Sequence, residues 1–229
     1  MTAHERIVDH LVIIVSESEQ KEIADRLVRA GFPRGNIVNE ENFDLRSHLL
    51  PMAGGGFVEL SMSRTAGREP MPGLMKKNPR ALGVAYTTMD AAAELESWRK
   101  QGVKDAFAAA GNWKREDGST GFWMGVSPTR ITGEPYFVLQ ERRVFPLPYP
   151  EHARTAPRLK KIVTSGPDAD AWRQRHIDWF GLAPKNGSIH CGDTELIFRK
   201  EATTGLTFVF EVPGEKGTIA LLQSAIELV

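Results

Sequence analysis

Three glycines set the frame of this chain. Gly31, Gly102 and Gly181 each close a stretch with helical periodicity, and they lie 71 and 79 residues apart. In the first copy, Ile7–Val15 reads as a strand, Ser16 and Glu19 have capping-box spacing, and Ile23, Leu27 and Ala30 mark one helical face. Gly31 then stands where a left-handed residue ends a helix. Extended runs follow near Ile37-Val38, over Phe43–Leu50 and over Gly56–Met62, with Pro51 to Gly55 as a hairpin loop. The second copy repeats this: a strand over Leu82–Thr88, a helix opened by Asp90 with Leu95 and Trp98 inward, and runs at Asp105–Ala109, Gly121–Val126 and Pro135–Glu141. The third begins at Leu159–Ser165, continues through a helix bearing Trp172, His176 and Trp179-Phe180, and ends in strands near 188–191, 195–200, 206–212 and 218–228. A period of this kind predicts an α+β fold of βαβββ modules, spanning 1–78, 79–145 and 146–229, the third of them degenerate. Pro146, Pro148 and Pro150 make a stiff linker before it.

Charge narrows the partners. Lys plus Arg and Asp plus Glu are 29 each in 229 residues, so no bulk field favours nucleic acid or an anionic membrane. The basic pairs Lys76-Lys77, Arg142-Arg143 and Lys160-Lys161 carry no interleaved aromatics and read as solvated faces or phosphate contacts. The single cysteine, Cys191, excludes an intramolecular disulfide and a cysteine-based zinc site. No apolar run reaches the roughly 18 residues of a membrane span, and Met1 to Ile7 is too polar for a signal peptide. A cytoplasmic protein is the expectation. Gly54-Gly55-Gly56 lacks the Lys-Ser/Thr ending of a phosphate loop and reads as a turn.

Two polar side chains interrupt apolar strands. His10 lies in Asp9-His10-Leu11-Val12-Ile13-Ile14-Val15, sharing a face with Val8, Val12 and Ile14, and Glu59 lies in Gly56-Phe57-Val58-Glu59-Leu60. Both are metal-capable. His190 and Cys191 are consecutive on a predicted strand, so they face opposite ways and read as structural.

The stretches Asp9–Ile13, Gly56–Leu60 and Pro135–Gln140, with the Trp172…Trp179-Phe180 helix and the strand-rich C-terminus, resemble the vicinal oxygen chelate superfamily. Glyoxalase I, bleomycin-resistance proteins and extradiol dioxygenases belong there, and the likeness is greatest to its glyoxalase-like domain group. The resemblance implies that paired modules form a curved mixed sheet around a cup, with metal ligands from the first and last strand of each module. His10 and Glu59 match the first pair. Alignment puts Gly83 and Leu139 at the second pair, and the third module offers Lys160 or Lys161. A complete four-ligand site is therefore missing.

His48 is a candidate replacement. If Leu50 pairs near Phe57, His48 falls opposite Glu59, where facing Cβ atoms are roughly 4.5–5.5 Å apart. The superfamily's strand order would then bring His10, His48 and Glu59 together, a set suited to divalent Fe, Mn, Zn or Ni. A one-residue slip would instead make His48 structural. Glu141 is either a displaced ligand or general base, or a partner of Arg142 or Arg143. His152 could swing over the cup from the linker. Arg46 shares the face of His48, either clamping a ligand carboxylate or sitting on the surface. Phe57, Phe122, Trp123, Tyr136 and Phe137 lie on cup-forming strands, with Phe57 and Phe137 aligned to the face of Glu59.

Two functions fit. The first is a divalent-metal-dependent isomerase, lyase or dioxygenase acting on a small oxygenated, hydrophobic or aromatic molecule. The second is a metal-free protein that sequesters such a compound in the same cup. A homodimer is compatible with both, since a partner chain could supply missing ligands. A purely structural role is the third.

Overall fold

The computed structural model describes residues 6–65, 82–129, 135–145, 155–221 and 224–229. The proline linker, Lys76-Lys77 and His152 lie outside the described residues.

The first module runs β1 (Val8–Ile14), α1 (Glu17–Arg29), β2 (Asn36–Glu40), a 3-10 turn at Glu41–Phe43, β3 (Leu45–Pro51) and β4 (Phe57–Ser63). The second runs β5 (Leu82–Thr88), α2 (Ala91–Lys100), β6 (Phe107–Arg115), β7 (Thr120–Ser127) and β8 (Tyr136–Glu141). The helix signals are realised as expected. The Ser16 hydroxyl accepts from the Glu19 amide while Glu19 reaches back to the Ser16 amide, and Asp90 accepts from the Ala93 amide. Gly31, Gly102 and Gly181 all adopt positive φ, at +107°, +82° and +65°.

The two modules close into one barrel, in the order β1-β4-β3-β2-β6-β7-β8-β5. Within each module the last strand lies parallel to the first. The modules join along an antiparallel β1–β5 seam and a short β2–β6 seam, where Val38 faces Arg115 and Asn39 faces Lys114. Alternate residues therefore point into the barrel. The others face outward, toward the helices and the rest of the chain.

The remaining chain builds a second sheet from β9 (Arg158–Gly166), α3 (Ala169–Asp178), β10 (Pro184–Lys185), β11 (Ser188–Cys191), β12 (Thr194–Lys200), β13 (Gly205–Glu211), β14 (Gly217–Leu221) and β15 (Ser224–Leu228). Its order is β10-β11-β12-β9-β13-β15-β14. The first four strands repeat the arrangement of β2-β3-β4-β1. Beyond them, β13, β15 and β14 echo β5, β8 and β7: β13 is antiparallel to β9 and parallel to β15. Val212–Lys216 joins β13 directly to β14 with no helix between them. The C-terminal region thus holds a third βαβββ unit and a trimmed fourth, and one strand short of eight it stays open.

This sheet covers the outer face of the barrel, and one apolar cluster runs through both, from Leu11, Val84 and Tyr86 to Ile162, Phe208 and Phe210. His176 sits in the joint. Its Nδ1 donates to the Trp172 carbonyl (2.7 Å), so Nε2 is left to accept from the Tyr86 hydroxyl (3.0 Å). Burial pushes the imidazole down to about 4, the Trp172 bond opposing only weakly. Trp98 Nε1 donates to the Trp179 carbonyl, and Arg6 bridges the Phe180 carbonyl and Glu94. No helix among the described residues is long and apolar enough to cross a membrane.

Candidate functional site

The barrel encloses a cavity of 410 Å³, within the range of small-molecule sites. His10, Val12 and Ile14 face it from β1, Phe57 and Glu59 from β4, and Tyr136, Val138 and Gln140 from β8. Glu40 enters from β2, and Trp113, Arg115 and Trp123 from the β6–β7 hairpin.

His10 is held on two sides. Its ring stacks on Phe57, with centroids 4.8 Å apart and planes 7° apart. Its Nδ1 lies 2.6 Å from Asp9 Oδ1. The pairing of neighbours depends on a β-bulge between Val8 and His10, which breaks the alternation that would otherwise put Asp9 and His10 on opposite faces. Asp9 is fully buried and grips the Arg142 guanidinium through both carboxylate oxygens. Burial alone would raise the Asp9 carboxyl; the bonds from His10 and Arg142 outweigh it and hold the group below its ordinary range. An ionised carboxylate only accepts, so the proton of this hydrogen bond belongs to His10 Nδ1, and Nε2 faces the cavity.

Glu59 stands opposite, with Oε2 3.9 Å from His10 Nε2. Its Oε1 accepts from the hydroxyls of Ser47 (2.8 Å) and Ser61 (2.6 Å). Glu40 completes the polar group. It is 9% exposed, and its Oε2 accepts from Trp123 Nε1 at 2.9 Å. Burial and the charge of Glu59 push its carboxyl up to about 8 against the Trp123 bond. Tyr136 lies near both acids: burial first, then Glu59 and Glu40, raise its phenol well above the ordinary value.

Rings in this barrel lie flat across glycines. A Cβ on Gly83 would sit 2.0 Å from the Tyr136 ring, one on Gly121 would sit 2.1 Å from Trp113, and one on Gly111 would sit 2.8 Å from Trp123. Tyr136 therefore occupies the space into which a side chain at Gly83 would project.

Several expected placements are corrected. Leu49, not His48, faces Glu59 across the β3–β4 ladder, and His48 pairs with Leu60. The one-residue difference turns His48 outward, where Nε2 meets the Arg34 carbonyl at 2.5 Å, and burial lowers its imidazole. Arg46 shares that outer face, 3.7 Å from Glu116. Glu141 is buried but caps α2, accepting from the amides of Ala91 (2.7 Å) and Arg143 (2.9 Å). Phe137 and Leu139 point away from the cavity, and Phe137 packs on His176 at 4.3 Å in the joint. Phe57 and Trp123 do face the cavity, whereas Phe122 borders it with 63% exposure. Sequence reasoning missed Asp9, Glu40, Trp113 and Arg115. Only the Asp-His doublet gave a signal, and strand alternation argued against it.

A family profile for the glyoxalase-like domain matches residues 8–180. The chain belongs to the glyoxalase-like domain family. No curated protein matches it. Among solved structures, a hypothetical protein from Staphylococcus aureus is similar over 98% of this chain and 99% of its own, with TM-score 0.71 and 8% identity. A mutant 4-hydroxymandelate synthase from Streptomyces coelicolor gives TM-score 0.54 at 13% identity, covering 90% of this chain and 71% of its own. A xylose isomerase-like TIM barrel/4-hydroxyphenylpyruvate dioxygenase fusion protein gives TM-score 0.52 at 15% identity over 90% of this chain. This chain spans 37% of that fusion protein. At such identities the likeness shows the fold.

Among the described residues, the divalent metal implied by the superfamily resemblance finds too few donors. The first module brings His10 Nε2 and Glu59 Oε2 together, while β5 and β8 present Gly83, Ala85, Tyr136 and Val138 where further ligands would stand. Among the described residues, no group of three or more His, Cys, Asp or Glu could hold a metal ion. The two donors brought together among the described residues do not fit an ion that takes three or four.

Proposed function

We propose that the protein is a small-molecule enzyme that shifts a proton on an apolar, oxygenated substrate with its own side chains. The observation that carries this reading is an acid set beside a base. Burial and the Glu59 charge push the Glu40 carboxyl up to about 8, which favours its protonated form at neutral pH, while Glu59 Oε2 and His10 Nε2 lie 3.9 Å apart. Environments that push titratable groups apart assign acid and base roles. The base removes a proton from a carbon beside a carbonyl, and Glu40 gives its proton to the carbonyl oxygen, forming an enol. Return of a proton to the opposite face of the same carbon, with the enol proton going back to Glu40, yields the epimer. Asp9 and Arg142 serve as positioning residues for His10. The aromatic wall favours a flat, apolar substrate body.

Chelator-treated protein incubated in D₂O with a panel of aryl ketones tests this, with loss of the α-proton signal followed by NMR. Exchange is expected in the wild type and about 10²-fold slower in Glu40→Gln and in Glu59→Gln. Exchange that vanishes on chelation and returns with one equivalent of a divalent cation would overturn the metal-free mechanism. Binding of the panel without exchange would replace the enzyme reading with sequestration.

A further inference from the structure

Arg115 is a charged cavity residue with no part in the proposed proton transfer. It closes β6 at the β2–β6 seam, opposite Val38, and its guanidinium lies over the Trp113 ring at 4.6 Å. Its Nε is buried and, among the described residues, has no hydrogen-bond partner. The backbone around it is pinned: its amide donates to the Ser119 carbonyl (2.8 Å), and its carbonyl accepts from the Gly118 amide (3.0 Å). Asp117, on the same turn, has its Oδ1 engaged by the Ser119 amide and hydroxyl. A buried donor without an acceptor is costly, and a charged one most of all.

We infer that Arg115 anchors a carboxylate carried by the substrate, so that the cavity takes a flat apolar acid rather than a neutral or cationic molecule. This rests on the reading of the cavity as a small-molecule site. A guanidinium donor forms its strongest hydrogen bonds with carboxylates. Glu59 stands on β4, three strands round the eight-stranded barrel from β6, and repels an anion. The substrate carboxylate therefore lies toward Arg115, the body against Trp113 and Trp123, and the reacting carbon toward His10 and Glu59. Charge at the two sides of the cavity sets one binding direction.

Isothermal titration at pH 7 with three probes of equal shape tests the inference: 2-naphthoate, 2-naphthamide and 2-naphthylmethylammonium. The wild type is expected to bind naphthoate at least tenfold more tightly than naphthamide. In Arg115→Met the two should come within twofold, with naphthamide affinity little changed, and Arg115→Lys should keep part of the preference. A wild type that prefers the ammonium probe, or shows no preference, overturns the inference whether or not the variants fold. So does a preference that survives in folded Arg115→Met. If none of the probes binds, the small-molecule reading of the cavity fails with it. If all bind equally, only the role of Arg115 fails.

Discussion

Glu40 links the proposed chemistry to stability, and its substitution by glutamine gives a quantitative test. The carboxyl is almost fully buried, and burial with the nearby Glu59 charge raises it from 4.5 to about 8. Each unit of displacement corresponds to about 1.4 kcal/mol between protonation states. Below pH 4.5 the folded and unfolded chains both carry the proton, and Glu40 has no pH-dependent effect. Between 4.5 and about 8 the unfolded chain releases a proton that the folded one retains. The direction is therefore loss of stability as pH rises, by about 1.4 kcal/mol per unit and about 5 kcal/mol in all. Above 8 the loss is complete. Glutamine keeps an oxygen for Trp123 Nε1 and removes the titration. Urea unfolding of wild type and Glu40→Gln, followed by circular dichroism at pH 5, 6.5 and 8.5, reads the difference directly. The variant should gain on the wild type steadily with pH, by about 4 kcal/mol between the end points. A stability difference that stays constant from pH 5 to 8.5 would show that Glu40 ionises normally, and the proposed acid would be lost.

Other consequences concern the frame around the site. Acidification should destabilise the joint through His176: its stabilising contribution is present above pH 6.5 and is lost toward pH 4, about 3 kcal/mol in total. Replacing it with phenylalanine should remove that pH dependence in urea titrations, even though the Tyr86 hydroxyl loses its acceptor. Arg142→Met leaves the buried Asp9 carboxylate with only the His10 bond and should cost about 3–5 kcal/mol, with Asp9→Asn in the same chain restoring part of it. Gly83→Ala drives a methyl group into the Tyr136 ring and should cost about 1–3 kcal/mol. In a Tyr136→Ala background that cost should largely disappear, giving a coupling energy measurable by a double-mutant cycle.

Local signals carried the architecture well. Capping boxes, periodic apolar faces and left-handed glycines act within a few residues, so βαβββ units and the helices ending at Gly31, Gly102 and Gly181 were legible without any long-range contact. The trimmed fourth unit was not, because β13–β15 lack the helix that marked the other copies. Motif alignment also slipped on β8. Matching Phe57-Val58-Glu59 to Phe137-Val138-Leu139 chose the wrong face, since a period of two makes either face look alike until a neighbour is known. In the barrel, Tyr136 takes the cavity side and fills the space above Gly83.

By itself the sequence determined the repeated modules, the strand bearing His10 and its match in Glu59, and the lack of a second ligand pair, all properties of residue identity and short spacing. Tertiary structure alone decided what these residues can do. A bulge turned Asp9 toward His10, a one-residue register sent His48 to the outside, and closure of the β2–β6 seam placed Glu40 and Arg115 on the cavity wall. Each depends on pairing between segments far apart in the chain. No local propensity encodes such pairing, because its free energy exists only once the barrel has closed and water has left the interior.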